Sequence, residues 1–141
     1  MKYLLMMISL VAIGFLATSC EEDSTLNPSN GLSVDGQWTG SSDLLGLGDL
    51  KIDLSLTELL DVIGGTGDLI LETVSSQPDS LPLLVTGSFD SPNVELNFTA
   101  TGISFNGTIS SDNTKMTGKL VGKDVPILDV DFDIDYEFVK Q

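Results

Sequence analysis

The chain has 141 residues, one domain's worth, with 21 acidic against 6 basic side chains, no histidine and no arginine, for a net charge of −15. A field of this sign repels nucleic acid and anionic lipid head groups and favours basic partners or cations. With a single cysteine and neither histidine nor arginine, a Ser-His-Asp triad, a Cys-His pair, a zinc site of the usual type and arginine-based phosphate clamping are excluded. Carboxylates alone could do acid-base work, but no pair of them is set apart from the rest, so the chain is expected not to be an enzyme and to use no cofactor.

Residues 1–19 read as a cleaved export signal: Lys2, an apolar run over 4–16, then small residues ahead of Cys20. The run falls short of the roughly 20 apolar residues that a membrane-spanning helix needs. Leu16-Ala17-Thr18-Ser19 before Cys20 resembles the lipobox of bacterial lipoproteins, with Ala17 where leucine is commonest. The resemblance implies acylation of Cys20 and a lipid anchor in the outer membrane; a free thiol or an intermolecular disulfide are the alternatives for an odd cysteine in an exported protein. Two or more acyl chains suffice for stable anchoring. Glu21-Glu22-Asp23 is similar to the acidic surface-export signal of some Gram-negative lipoproteins, and reads equally as the solvated start of a linker.

Cleavage after residue 19 leaves 141 − 19 = 122 residues with five lysines and 21 acids, a net charge of 5 − 21 = −16. Residues 20–33 form the lipidated cysteine and a tether rich in Ser, Asn, Asp and Glu, without apolar periodicity. At ~3.4 Å per residue the tether reaches on the order of 45 Å, enough to hold the domain clear of a membrane.

From Val34 to the end of the chain, apolar residues recur with a period of two between turn signals. Strands are predicted over 36–42, 49–58, 68–75, 81–89, 94–100, 103–109, 115–121 and 128–140, with turn chemistry at 90–93 and 110–114. Segment 59–63 is apolar for a loop and reads either as a strand extension or as a lip over a barrel mouth. Val94, Leu96 and Phe98 alternate with Glu95, Asn97 and Thr99, so each strand has one dry face and one wet face. No helix is predicted to cover the dry face. An eight-stranded antiparallel up-and-down meander closed into a small barrel removes both the uncovered face and the sticky edges.

Gly36-Gln37-Trp38 at the start of the first strand resembles the Gly-x-Trp signature of the lipocalin and avidin-like (calycin) barrels. The resemblance implies a non-catalytic binding module for a small apolar ligand, with Trp38 plugging one barrel end or stacking on the ligand. Lipocalins set an arginine from the last strand over this tryptophan, and only Lys140 could stand in for it. Thr39 occupies the position of the avidin asparagine, and no second tryptophan exists, so biotin is not implied.

The glycines bear on the same question. Pairing through the evident turns puts Gly87 opposite Leu96, Leu96 opposite Gly107 and Gly107 opposite Gly118, all on the apolar side. The missing side chains either leave a cavity lined by Trp38, Phe98, Phe105, Phe132 and Tyr136, or let the strands coil and make room for a neighbouring ring. On the wet side, Asp129, Asp131, Asp133, Asp135 and Glu137 form a carboxylate ladder. Its same-face neighbours, roughly 6.7 Å apart, are too widely spaced to enclose Ca²⁺, so no metal is expected. A turn near Asp124 would set Lys119 across from Asp129 and Lys115 across from Asp133. Asn97-Phe98-Thr99 and Asn106-Gly107-Thr108 match the N-glycosylation pattern by coincidence.

Two functions follow as expectations. One is a lipocalin-like barrel holding a small apolar ligand; the other is a solid barrel whose acidic wall contacts a basic protein.

Overall fold

A computed structural model describes residues 31–73, 77–126, 128 and 130–141. The expected export signal, Cys20 and most of the tether lie outside the described residues.

Eight strands follow one another: β1 (Gly36–Asp43), β2 (Asp49–Leu59), β3 (Val62–Glu72), β4 (Asp79–Asp90), β5 (Asn93–Phe98), β6 (Ile103–Ile109), β7 (Lys115–Gly122) and β8 (Phe132–Lys140). Each pairs antiparallel with the next, and β8 returns to pair with β1, closing the barrel in meander order. Alternation decides which face turns inward. On β5, Val94, Leu96 and Phe98 are buried while Asn93, Glu95 and Asn97 are exposed. The inward residues of all eight strands join one apolar cluster. Each fully buried large side chain there contributes roughly 1.5–3 kcal/mol.

Because successive strands alternate in direction, the barrel has two distinct ends. The tether end collects Gly36, the 60–61, 91–92 and 110–114 turns and the chain's last residues. The far end collects the connections 44–48 and 99–102 and, of the two others, the described residues 73, 77–78, 123–126, 128 and 130–131.

Chain entry plugs the tether end. Val34 is fully buried, its N–H and the Ser33 hydroxyl both donate to Glu58 Oε2 at 3.2 Å, and Ser33 N–H donates to Asn113 Oδ1 at 3.1 Å. Ordered contact therefore begins inside the stretch expected to be tether, since Leu32 already packs on the core. At the far end Leu44, Val125 and Thr101 are buried. Thr101 Oγ1 donates to Phe98 O at 2.7 Å and accepts Ile103 N–H at 3.1 Å, which satisfies the polar groups of the 99–102 turn.

Three local expectations are corrected. First, β3 starts at Val62 rather than at residue 68; of the two readings of segment 59–63 the strand extension holds, with Leu59 paired to Val62 across a two-residue turn. Leu60 (φ 53°) and Asp61 (φ 64°) both adopt the left-handed region, the type I′ geometry that suits a twisted hairpin. Gly64, Gly65 and Gly67 thinned the apolar pattern there and concealed the strand.

Second, β6 sits two residues along from its expected register. Leu96 pairs with Phe105, and Gly107 pairs with Val94, because the β5–β6 connection spans residues 99–102 rather than a tight two-residue turn. A slip of two keeps every side chain on its own face, so the core is unchanged. Third, β8 starts at Phe132, after a long connection instead of a tight turn near Asp124. Lys119 consequently pairs with Asp135 and Lys115 with Val139, while Asp131 caps the loop by accepting Asp124 N–H at 2.9 Å.

Candidate functional site

Two surfaces could carry function, the interior and the outer wall. Within the interior, Trp38 is buried at the tether end, where its Nε1–H donates to Val34 O at 2.8 Å. Lys140, paired with Trp38 across β1 and β8, sets its Nζ 5.2 Å from the indole centroid, a cation–π contact. The indole thus stoppers the barrel between chain entry and the last strand.

Phe98 and Phe105 are buried on adjacent strands, and Phe105 meets Phe138 edge to face with ring centroids 5.1 Å apart. Tyr136 lies tilted against Phe138 at 4.9 Å, and its hydroxyl donates to Leu50 O at 3.3 Å. Burial pushes the Tyr136 phenol well above its usual range, so it stays protonated and serves as an anchor between β8 and β2.

The inward glycines explain how so many rings fit. A methyl added at Gly107 would stand 2.6 Å from Phe105 Cζ, one at Gly122 2.3 Å from Phe132 Cε1, and one at Gly40 2.4 Å from Tyr136 Cε1. At Gly118 the obstacles are backbone, Asn106 O at 2.1 Å and Gly107 Cα at 2.4 Å; at Gly87 it is Glu95 O at 2.0 Å. A neighbouring ring thus stands against Gly107, Gly122 and Gly40, and the backbone of the next strand against Gly118 and Gly87. The expected pairings of Gly87 with Leu96 and of Gly107 with Gly118 occur, and Gly118 faces Tyr136. Gly40, Gly65, Gly67 and Gly122 belong to the same inward set, and sequence reasoning missed them. Their signal was parity with Trp38, Ile63, Leu69 and Leu120.

The wall outside carries the charge. Asp133, Asp135 and Glu137 point outward from β8, with Lys119 Nζ 3.0 Å from Asp135 and 3.7 Å from Asp133, and Lys115 Nζ 3.2 Å from Glu137. The hydrogen bond and charge of Asp135 raise the Lys119 ammonium above its ordinary pKa. Among the described residues no group of three or more His, Cys, Asp or Glu side chains converges to hold a metal ion.

Shallow grooves run along this wall, and each sits over an inward glycine. One of about 510 Å³ lies above Gly118, with Thr117, Ser41, Asp135 and Glu137 around it. A second of about 430 Å³ lies at Gly107 beneath Asp90, Glu95 and Asn106, and a third of about 450 Å³ at Gly67 is edged by Asp53 and Asp68. The outward side chains of the flanking strands form the sides of each groove, with the glycine backbone among its lining.

No protein-family model matches the chain, and no curated protein matches it significantly in sequence.

Proposed function

We propose that this protein is a lipid-anchored envelope lipoprotein that acts through the outside of a solid barrel, binding a basic protein as an inhibitor or as the subunit of an envelope complex. The observation that carries the reading is the wall: grooves over Gly118, Gly107 and Gly67 are each rimmed by two carboxylates, of which Asp135, Glu137 and Asp53 also pair with Lys119, Lys115 and Lys51. A lysine or arginine side chain suits such a groove, with its aliphatic stem along the floor and its charged head at the rim. The mature charge of 5 − 21 = −16 steers a basic partner toward it. The calycin-like reading requires room inside for an apolar ligand, and the rings that stand against Gly40, Gly107 and Gly122 favour the solid barrel over it.

The test is recovery of partners on the full-length protein from its own envelope at low and raised ionic strength. A basic protein should be retained at low salt and released as salt rises, and the charge-removing set Asp133→Asn, Asp135→Asn and Glu137→Gln should lose it. Retention that is indifferent to salt and to this set would sink the proposal.

A further inference from the structure

Among the described residues, the tip of the β2–β3 hairpin gathers the largest group of exposed apolar side chains at the tether end, with the exposed Asp61 at the turn between them. Leu59, Leu60 and Val62 are 75%, 63% and 63% exposed. Leu59 and Val62 face each other as an outward pair, and Leu60 stands at the turn. The tip is rigid rather than a flap. Asp61 O accepts Phe89 N–H at 2.9 Å, and Thr57 Oγ1 donates to Gly64 O at 3.2 Å just below it. A flexible loop could fold its leucines onto the barrel, whereas this turn holds them out.

What covers the tip follows from where the chain enters. Gly31, the first described residue, leads directly into Ser33 and Val34, which Asn113 and Glu58 fasten at this same end. Cys20 precedes Gly31 by 31 − 20 = 11 positions, at most about 37 Å of extended chain at ~3.4 Å each. Resting on the lipid-anchor reading of Cys20, this end of the barrel is the one tethered nearest the bilayer. We infer that the Leu59-Leu60-Val62 tip is a second membrane contact, which inserts shallowly into an electroneutral phospholipid surface and stands the barrel upright on it. The net negative charge opposes anionic head groups, so the surface must be electroneutral. Upright, the carboxylate-rimmed grooves of the wall face sideways into water, where a partner can reach them.

The most exposed leucine, Leu45 at 94%, lies at the opposite end and provides an internal control. The full-length protein carrying Leu60→Cys or Leu45→Cys would be labelled with a thiol-reactive nitrobenzoxadiazole dye and reconstituted in phosphatidylcholine vesicles containing chain-brominated lipid. The dye at 60 should be blue-shifted and quenched several-fold more strongly than the dye at 45. Equal quenching, or stronger quenching at 45, overturns the inference. A blue shift at 60 without quenching by bromine places the tip against protein, a second copy included, and also overturns it. Flotation and intact mass separate the two layers of the argument. A chain with unmodified Cys20 that does not float overturns the anchor reading and the tip with it, whereas an acylated, floating chain with equal quenching overturns the tip alone.

Discussion

Gly118 and Gly64 are both strand glycines of one barrel, yet they live in opposite surroundings. A methyl on Gly118 would stand 2.1 Å from Asn106 O, while a methyl on Gly64, on the outward face of β3, would meet nothing within 4 Å. The same contrast runs through whole strands. Inside, Gly107, Gly118 and Gly122 each meet a ring or a neighbour's backbone, and buried polar atoms such as Trp38 Nε1 and Thr101 Oγ1 have partners. Outside, the ion pairs of Lys119 and Lys115 stand in water and the grooves over the glycines are open. Change is therefore costly on one face and cheap on the other, which leaves the outer face able to specialise.

The largest effect expected inside is at the stopper. Trp38→Ala removes the indole, its bond to Val34 O and its contact with Lys140, and should lower stability by ~3–5 kcal/mol in denaturant unfolding. Next comes the glycine pair that sets the contrast. Gly118→Ala should cost ~1–3 kcal/mol through forced backbone movement, whereas Gly64→Ala should be neutral or stabilising by up to ~1 kcal/mol. Equal costs for the two would erase the distinction between the faces.

Thr101→Val keeps the shape and the bond from Thr101 N–H to Phe98 O, but takes the Oγ1 acceptor from Ile103 N–H at the far end, for ~1–3 kcal/mol in the same unfolding assay. The outer wall should respond least: Lys119→Met should leave the unfolding midpoint where it is, since the ion pairs it removes are solvated.

The smallest expected change is a pH effect confined to one turn. Hydrogen bonds from Ser110 Oγ, Thr114 Oγ1 and Thr114 N–H hold the Asp112 carboxyl below its ordinary pKa of 3.8. A lowered folded pKa means stabilisation that is present above the unfolded value and lost as pH falls through the folded one. The Thr114 amide should then exchange faster only in acid below about 3.8, and Asp112→Ala should abolish that dependence.

Much of this contrast was legible in the sequence, because period two and turn chemistry are local. The alternation of Val94, Leu96 and Phe98 against Glu95 and Asn97 assigns faces without knowledge of any partner strand. Register is not local. It depends on how many residues each turn consumes, so the β5–β6 pairing slipped by two, and the longer connection before Phe132 displaced Lys115 and Lys119 along β8. The glycines were visible as a row, but whether they enclose space depends on where rings from other strands point. Phe105 turning over Gly107 and Tyr136 over Gly40 are tertiary facts. The wall grooves were invisible for the same reason, since each is lined by residues from three or more segments of the chain. Trp38 is buried at the tether end with Lys140 Nζ over its ring, a contact that follows from the pairing of the first strand with the last and not from anything local to either.

Function can be assigned to the wall only if the interior is a core rather than a chamber. Xenon enters dry apolar cavities, so the side-chain methyl resonances of Leu56, Leu96 and Leu120, all essentially fully buried, report directly on empty space around them. Under xenon pressure a filled barrel predicts only small, linear, non-saturating shifts at these methyls. Saturable shifts at the three together would reveal a chamber, return the function to an apolar ligand inside, and contradict the assignment of function to the wall.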